Sequence, residues 1–157
     1  MFAALTACTA EEWANFAKEV EQNEQAAAKR RAKYHNISLQ CFDWEIKDTA
    51  AAGLSAKGFR IVYPGEGDYG AIVTVLKTAQ EHVLIRNGSY FTTLPGAGTR
   101  PGYRTKISIV VHNLEGKKLA EYQGESMPSE SYHRSEAERS ACRKAISRMP
   151  ASSSVYW

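Results

Sequence analysis

Residues 104–123 read RTKISIVVHNLEGKKLAEYQ, and this stretch decides the class of the fold. Ile107, Ile109 and Val111 recur at every second position, the spacing that sets side chains on one face of a strand. Asn113-Leu114-Glu115-Gly116 supplies turn chemistry, and Lys118 to Gln123 returns as the second strand of a hairpin. Such a hairpin pairs antiparallel, so the sheet containing it is at least partly antiparallel.

Beyond the hairpin, Ser126-Met127-Pro128-Ser129 interrupts the pattern, and Ser131 to Met149 reads as a helix. Its apolar stripe is Ala137, Ala141, Cys142, Ala145, Ile146 and Met149, with Arg139, Arg143, Lys144 and Arg148 largely elsewhere. Pro150 ends it, and residues 151–157 form a tail whose Val155-Tyr156-Trp157 is apolar enough to dock.

Upstream, Gly88 to Tyr103 is rich in Gly, Thr and Pro and reads as a loop with a short strand at Ser89 to Thr92. Tyr69–Leu76 and His82–Arg86 read as two strands, and Phe59–Tyr63 as a shorter one closed by Pro64-Gly65. Between Asp48 and Gly58 the small residues Thr49 to Ala56 predict a helix stopped by that glycine. Asn36 to Phe42 alternates, with Ile37, Leu39 and Cys41 on one side. Thr9-Ala10-Glu11-Glu12 has the form of a capping box, which starts a helix over residues 10–33. Trp13, Phe16, Ala17 and Val20 give that helix an apolar stripe, which thins to alanines in its second half. The order predicts an α+β fold: a mainly antiparallel sheet with helices packed on one face, preceded by an N-terminal helix. In residue terms, 1–8 is a short signal remnant and lipobox, 9–34 the N-terminal helix, 35–150 the α+β domain and 151–157 the tail.

The 157 residues fit one core, and 43% apolar with 24% charged residues is the balance of a globular chain. No run approaches the roughly 18 apolar residues a spanning helix needs. The net charge of +3 is less informative than its layout. Glu11, Glu12, Glu19, Glu21 and Glu24 precede Lys29, Arg30, Arg31 and Lys33, an order that complements the dipole of a solvated helix. The basic end and the arginines of the last helix also suit phosphates, which keeps a soluble basic nucleic-acid-binding or regulatory module as the alternative function.

Catalytic and metal chemistry finds little footing. His35, His82, His112 and His133 form no close ligand pair, so no metal and no cofactor is expected. Gly96 to Gly102 superficially suggests a phosphate cradle, but Pro101 removes an amide and a strand rather than a helix follows. The stretch reads instead as a gating or partner-binding loop, with Arg100, Arg104 and Lys106 available to an anionic partner. There is no nucleophile elbow, and Glu11 and Glu12 point in different directions on their helix. No catalytic residues and no enzyme activity are expected. Cys41 and Cys142 both face the shared helix–sheet interface, either as a disulfide or as two packed thiols.

Leu5-Thr6-Ala7-Cys8 reads as a lipobox, which makes Cys8 the lipid-attachment residue; Met1 to Ala7 is short for an export signal, and the alternative is a plain apolar N-terminus with Cys8 an ordinary apolar residue. The remainder resembles small bacterial envelope lipoproteins with an α+β domain of unknown function. DTAAAGLSAKGFRIV, Asp48 to Val62, is similar to their helix followed by a strand opening on AKG-aromatic. Gly67-Asp68-Tyr69 to Leu76 is similar to their next strand, KISIVVHNLEGKKLAEYQGES to their hairpin, and AERSACRKAISRMP to their closing helix. The TraT surface-exclusion lipoprotein is similar around Asp48 to Leu76. The resemblance spans roughly residues 36–150. It implies a non-catalytic lipoprotein that binds or scaffolds another envelope protein or assembly, held to the membrane through lipidated Cys8. The implied address is the periplasmic side of the outer membrane.

Overall fold

A computed structural model describes residues 9–86, 99–128 and 133–157. Helix α1, Ala10–His35, leads into strand β1, Asn36–Cys41. Helix α2, Trp44–Ala56, then crosses to the two-residue strand β2, Arg60–Ile61. Three long strands follow: β3 Ala71–Arg86, β4 Thr99–His112 and β5 Lys118–Ser126. Helix α3, Arg134–Ser147, and a 3-10 turn at Ser152–Ser154 complete the order.

The sheet runs β2-β1-β3-β4-β5. The long β3–β4 and β4–β5 pairings are antiparallel, as the hairpin pattern predicts, and β1 lies parallel to both β2 and β3. In the hairpin turn Asn113 N–H donates to the Lys117 carbonyl, and Gly116 takes φ +83°, a conformation that side chains disfavour. α2 starts five residues before the sequence suggests, because Asp43 caps it by accepting from the Glu45 amide at 2.9 Å. The two strands expected at 69–76 and 82–86 are one strand, irregular between Lys77 and Ala79. That irregularity, and the departure of β3 from the core beyond it, removes the alternation that would have joined them.

α2 and α3 bury their stripes in one cluster with Ile37, Val73, Val75, Ile107, Ile109 and Val111. The closeness of α3 is set by Gly124 of β5, where an added Cβ would strike the Ala141 carbonyl and the Ala145 amide. Short side chains at Ala141 and Ala145 allow the helix backbone itself to lie on the strand. Lys57, just past α2, caps the far end of α3, its ammonium donating to the carbonyls of Met149 at 2.7 Å and Ser147 at 3.2 Å.

The tail docks. Trp157 stacks on Phe59 with ring centroids 5.6 Å apart, meets Tyr34 edge-on at 5.8 Å, and donates its indole N–H to the Tyr122 hydroxyl at 3.0 Å. Tyr34 is the buried residue of α1, so this aromatic group seats the root of the helix. Every residue from Thr9 to Lys33 is exposed except Ala27, which is half-buried.

Candidate functional site

Cys8 lies outside the described residues. The helix that follows it begins without a gap: Thr9 Oγ1 accepts from the Glu12 amide at 3.3 Å while the Glu12 carboxylate accepts from the Thr9 amide at 2.6 Å. This reciprocal cap satisfies two of the donors that a helix start leaves open. At about 1.5 Å per residue, a helix of this length reaches about 39 Å from its root.

Arg100 lies on a strand rather than in the expected loop, together with Arg104 and Lys106. All three belong to β4, with Arg100 opposite Ile85 and Arg104 opposite Glu81 of β3. The strand tolerates Pro101 because β5 ends at Ser126, opposite Thr105, leaving one edge of β4 without a described neighbour. Glu81–Arg86 and Thr99–Arg104 therefore continue past the end of β5 as a two-stranded ribbon. At its base, Arg104 lies 3.6 Å from the Glu81 carboxylate and 3.4 Å from that of Glu125, and Lys106 is 3.9 Å from Glu125. The Arg104 Nε lacks a well-directed hydrogen bond, so its contact with Glu125 is one of charge rather than of aligned donor and acceptor. Both cations already face carboxylates, which lowers their attraction for an outside anion.

Two arginines of α3, and Arg148 just past its end, are similarly engaged. Arg139 lies 4.0 Å from Glu45, and Arg148 donates to the Gln123 carbonyl of β5. Arg134 lies 3.1 Å from Glu138, a buried carboxylate that also accepts from Lys77 at 2.8 Å and Gln80 at 3.2 Å. Burial alone would raise the Glu138 carboxyl, but the hydrogen bonds from Lys77 and Arg134 outweigh it and hold the group below its ordinary value. This cluster pins the start of α3 to the point where the ribbon leaves the sheet. Sequence reading missed it, although an acidic residue beside the alanines of an apolar stripe was the available signal.

No protein-family model matches the chain, and no curated protein matches it in sequence. Among solved structures, a minor lipoprotein from Acinetobacter baumannii is similar at a TM-score of 0.46 and 16% identity, covering 73% of this chain and 88% of that one. A PelC dodecamer from Paraburkholderia phytofirmans is similar at a TM-score of 0.45 and 11% identity, covering 73% of this chain and 86% of that one. Likenesses this distant lend the chain no function, so its chemistry rests on its own residues.

On the sheet face away from the helices, Ser108 donates to Glu121 at 2.6 Å, and Glu121 also accepts from Lys118 at 2.7 Å and Gln123 at 3.1 Å. The Lys118 hydrogen bond is the largest of the causes that lower the Glu121 carboxyl to about 2. A carboxylate that acidic is a poor base for activating a serine near neutral pH. Cys41, half-buried, and Cys142, buried, are free cysteines. Burial pushes Cys142 up to about 12, with nearby Cys41 adding to the rise, and burial likewise raises Cys41. Protonated thiols are weak nucleophiles. Among the described residues no three His, Cys, Asp or Glu side chains gather as a metal site, and no helix is long and apolar enough to cross a membrane.

Proposed function

We propose that the chain is a non-catalytic bacterial envelope lipoprotein, anchored through lipidated Cys8, whose α+β body binds or scaffolds another envelope component. The observation that carries this reading is the exposure of Thr9 to Lys33 immediately after the Leu5-Thr6-Ala7-Cys8 lipobox. A cysteine placed ahead of a projecting capped helix suits an anchor at the far end of a stalk. The β3–β4 ribbon and the outer edge of β5 are the partner contacts, because an exposed strand edge accepts a further strand. The TraT-like segment Asp48–Leu76 and the periplasmic side of the outer membrane belong to this same proposal. Arg104, Lys106, Arg134 and Arg139 face carboxylates, which lowers their attraction for phosphate and leaves the basic end of α1, Lys29 to Lys33, as the support for the alternative, a soluble basic nucleic-acid-binding module.

Membrane fractionation and intact mass of the product of the complete reading frame test the anchor, with Cys8→Ser as control. Wild type is expected in the membrane fraction carrying several acyl chains, since a single chain binds only marginally. The Cys8→Ser protein should be released. Soluble, unacylated wild type would overturn the proposal.

A further inference from the structure

α1 presents two features that the rest of the fold does not use. Trp13, Phe16 and Val20 are 61%, 58% and 39% exposed, and the first two rings meet edge-on at 6.2 Å. Seven-residue spacing carries the stripe from Trp13 and Val20 to Ala27 and then to Tyr34, the residue buried at the helix root. The body thus covers only the last turn of a continuous apolar face. The second feature is charge. Among the described residues, no ion pair engages Glu11, Glu12, Glu19, Glu21 or Glu24 in the first half, nor Lys29, Arg30, Arg31 or Lys33 in the second.

We infer that α1 pairs with α1 of a second copy of this chain, antiparallel, through the Trp13-Phe16-Val20 face. In that orientation the acidic half of each helix runs along the basic half of the other. A parallel pair would set glutamates beside glutamates and cations beside cations. Size is complementary in the same sense. The first half carries the bulky side chains and the second carries Ala26, Ala27 and Ala28, so aromatic rings of one helix meet alanines of the other and allow a close approach. A register placing Phe16 against Ala28 and Ala17 against Ala27 also brings Trp13 over the Arg31 stem and Glu11 beside Lys33. Each helix start then reaches the partner's helix root, and the two bodies stand at opposite ends of the pair.

A membrane surface fits the same face less well. The bulky residues lie among glutamates, which anionic headgroups repel, and the cations lie where the apolar face has dwindled to alanine. Antiparallel pairing uses both halves of the helix at once. It does not rest on the anchor proposal, because the Cys8→Ser chain tests it without lipid.

Sedimentation of the full Cys8→Ser chain at micromolar concentration should show a dimer. The surface double variant Trp13→Ala/Phe16→Ala, with helix content checked by circular dichroism, should dissociate at least tenfold more readily. Orientation is read by peptide-mapped oxidative cross-linking. A mixture of Ala17→Cys and Ala27→Cys chains should bridge residue 17 to residue 27, whereas Ala17→Cys alone should not bridge to itself. A monomeric parent, a double variant that dimerises as well as the parent, or a 17-to-17 bridge would each overturn the proposal. So would a monomer whose Trp13 fluorescence shifts blue on phosphatidylcholine–phosphatidylglycerol vesicles, which would give the face to the membrane instead.

Discussion

Helices α1 and α3 carry apolar stripes at the same helical spacing, yet they meet opposite fates. α3 buries Ala137, Glu138, Ala141, Cys142, Ala145 and Ile146, whereas α1 buries only Tyr34. The more hydrophobic stripe, with its Trp, Phe and Val, is the one left outside. Burial here follows reach rather than hydrophobicity: small side chains and Gly124 let the α3 backbone settle on β5, while α1 leaves the body after a single turn. Apolar surplus on α1 is therefore available to something other than its own fold.

The contrast breaks most sharply at Ile146, which fills the space between α2, α3 and the sheet. Ile146→Ala should cost about 2–5 kcal/mol in urea unfolding, the range for truncating a buried aliphatic side chain. A loss below about 1 kcal/mol would mean that α3 is not the packed helix of the pair. Gly124→Ala should cost about 1–3 kcal/mol, because the new methyl meets helix backbone that cannot rotate aside. Unchanged thermal stability would show that α3 rides higher on β5 than described.

Glu138 sharpens the comparison through pH. Its carboxyl is lowered in the folded state, so its contribution is present above the unfolded value of 4.5 and fades as pH falls below it. Glu121 acts in the same direction, its contribution fading from 4.5 towards about 2. Glu138→Gln should destabilise the protein at pH 7 by about 1–3 kcal/mol, the cost of disturbing a buried charged hydrogen bond. It should also flatten the fall of the melting temperature below pH 4.5. A variant whose melting temperature tracks wild type at every pH would remove Glu138 from the account.

The smallest effect belongs to α1. Trp13→Ala should change the unfolding free energy of the isolated protomer, measured at dilution, by less than about 0.5 kcal/mol, as expected for a surface position. A loss near that of Ile146→Ala would place Trp13 inside the fold.

Much of this was legible from the chain. The Thr9–Glu12 cap, the α3 stripe and the Asn113–Gly116 turn are local signals, and each fixes its element without knowledge of neighbours. The parallel pairing of β1 was not legible, since direction depends on how α2 returns the chain and not on any residue of β1. Nor was the strand character of Arg100, because beyond Thr105 only β3 flanks β4 and no buried face imposes alternation. The Glu138 cluster joins residues 61 and 58 positions apart in sequence, a distance over which no motif operates.

The aromatic seat of α1 also orders events in time. A capped helix forms from neighbouring residues, on the order of microseconds or less. The Tyr34–Trp157 and Tyr122–Trp157 contacts instead close long stretches of chain, the kind of encounter that slows folding. α1 is thus able to present its Trp13 face while the body that will hold its root is still assembling. Self-recognition through that helix is a competitor of folding as well as its sequel, and refolding yields should fall with rising protein concentration before the native signal from Trp157 appears.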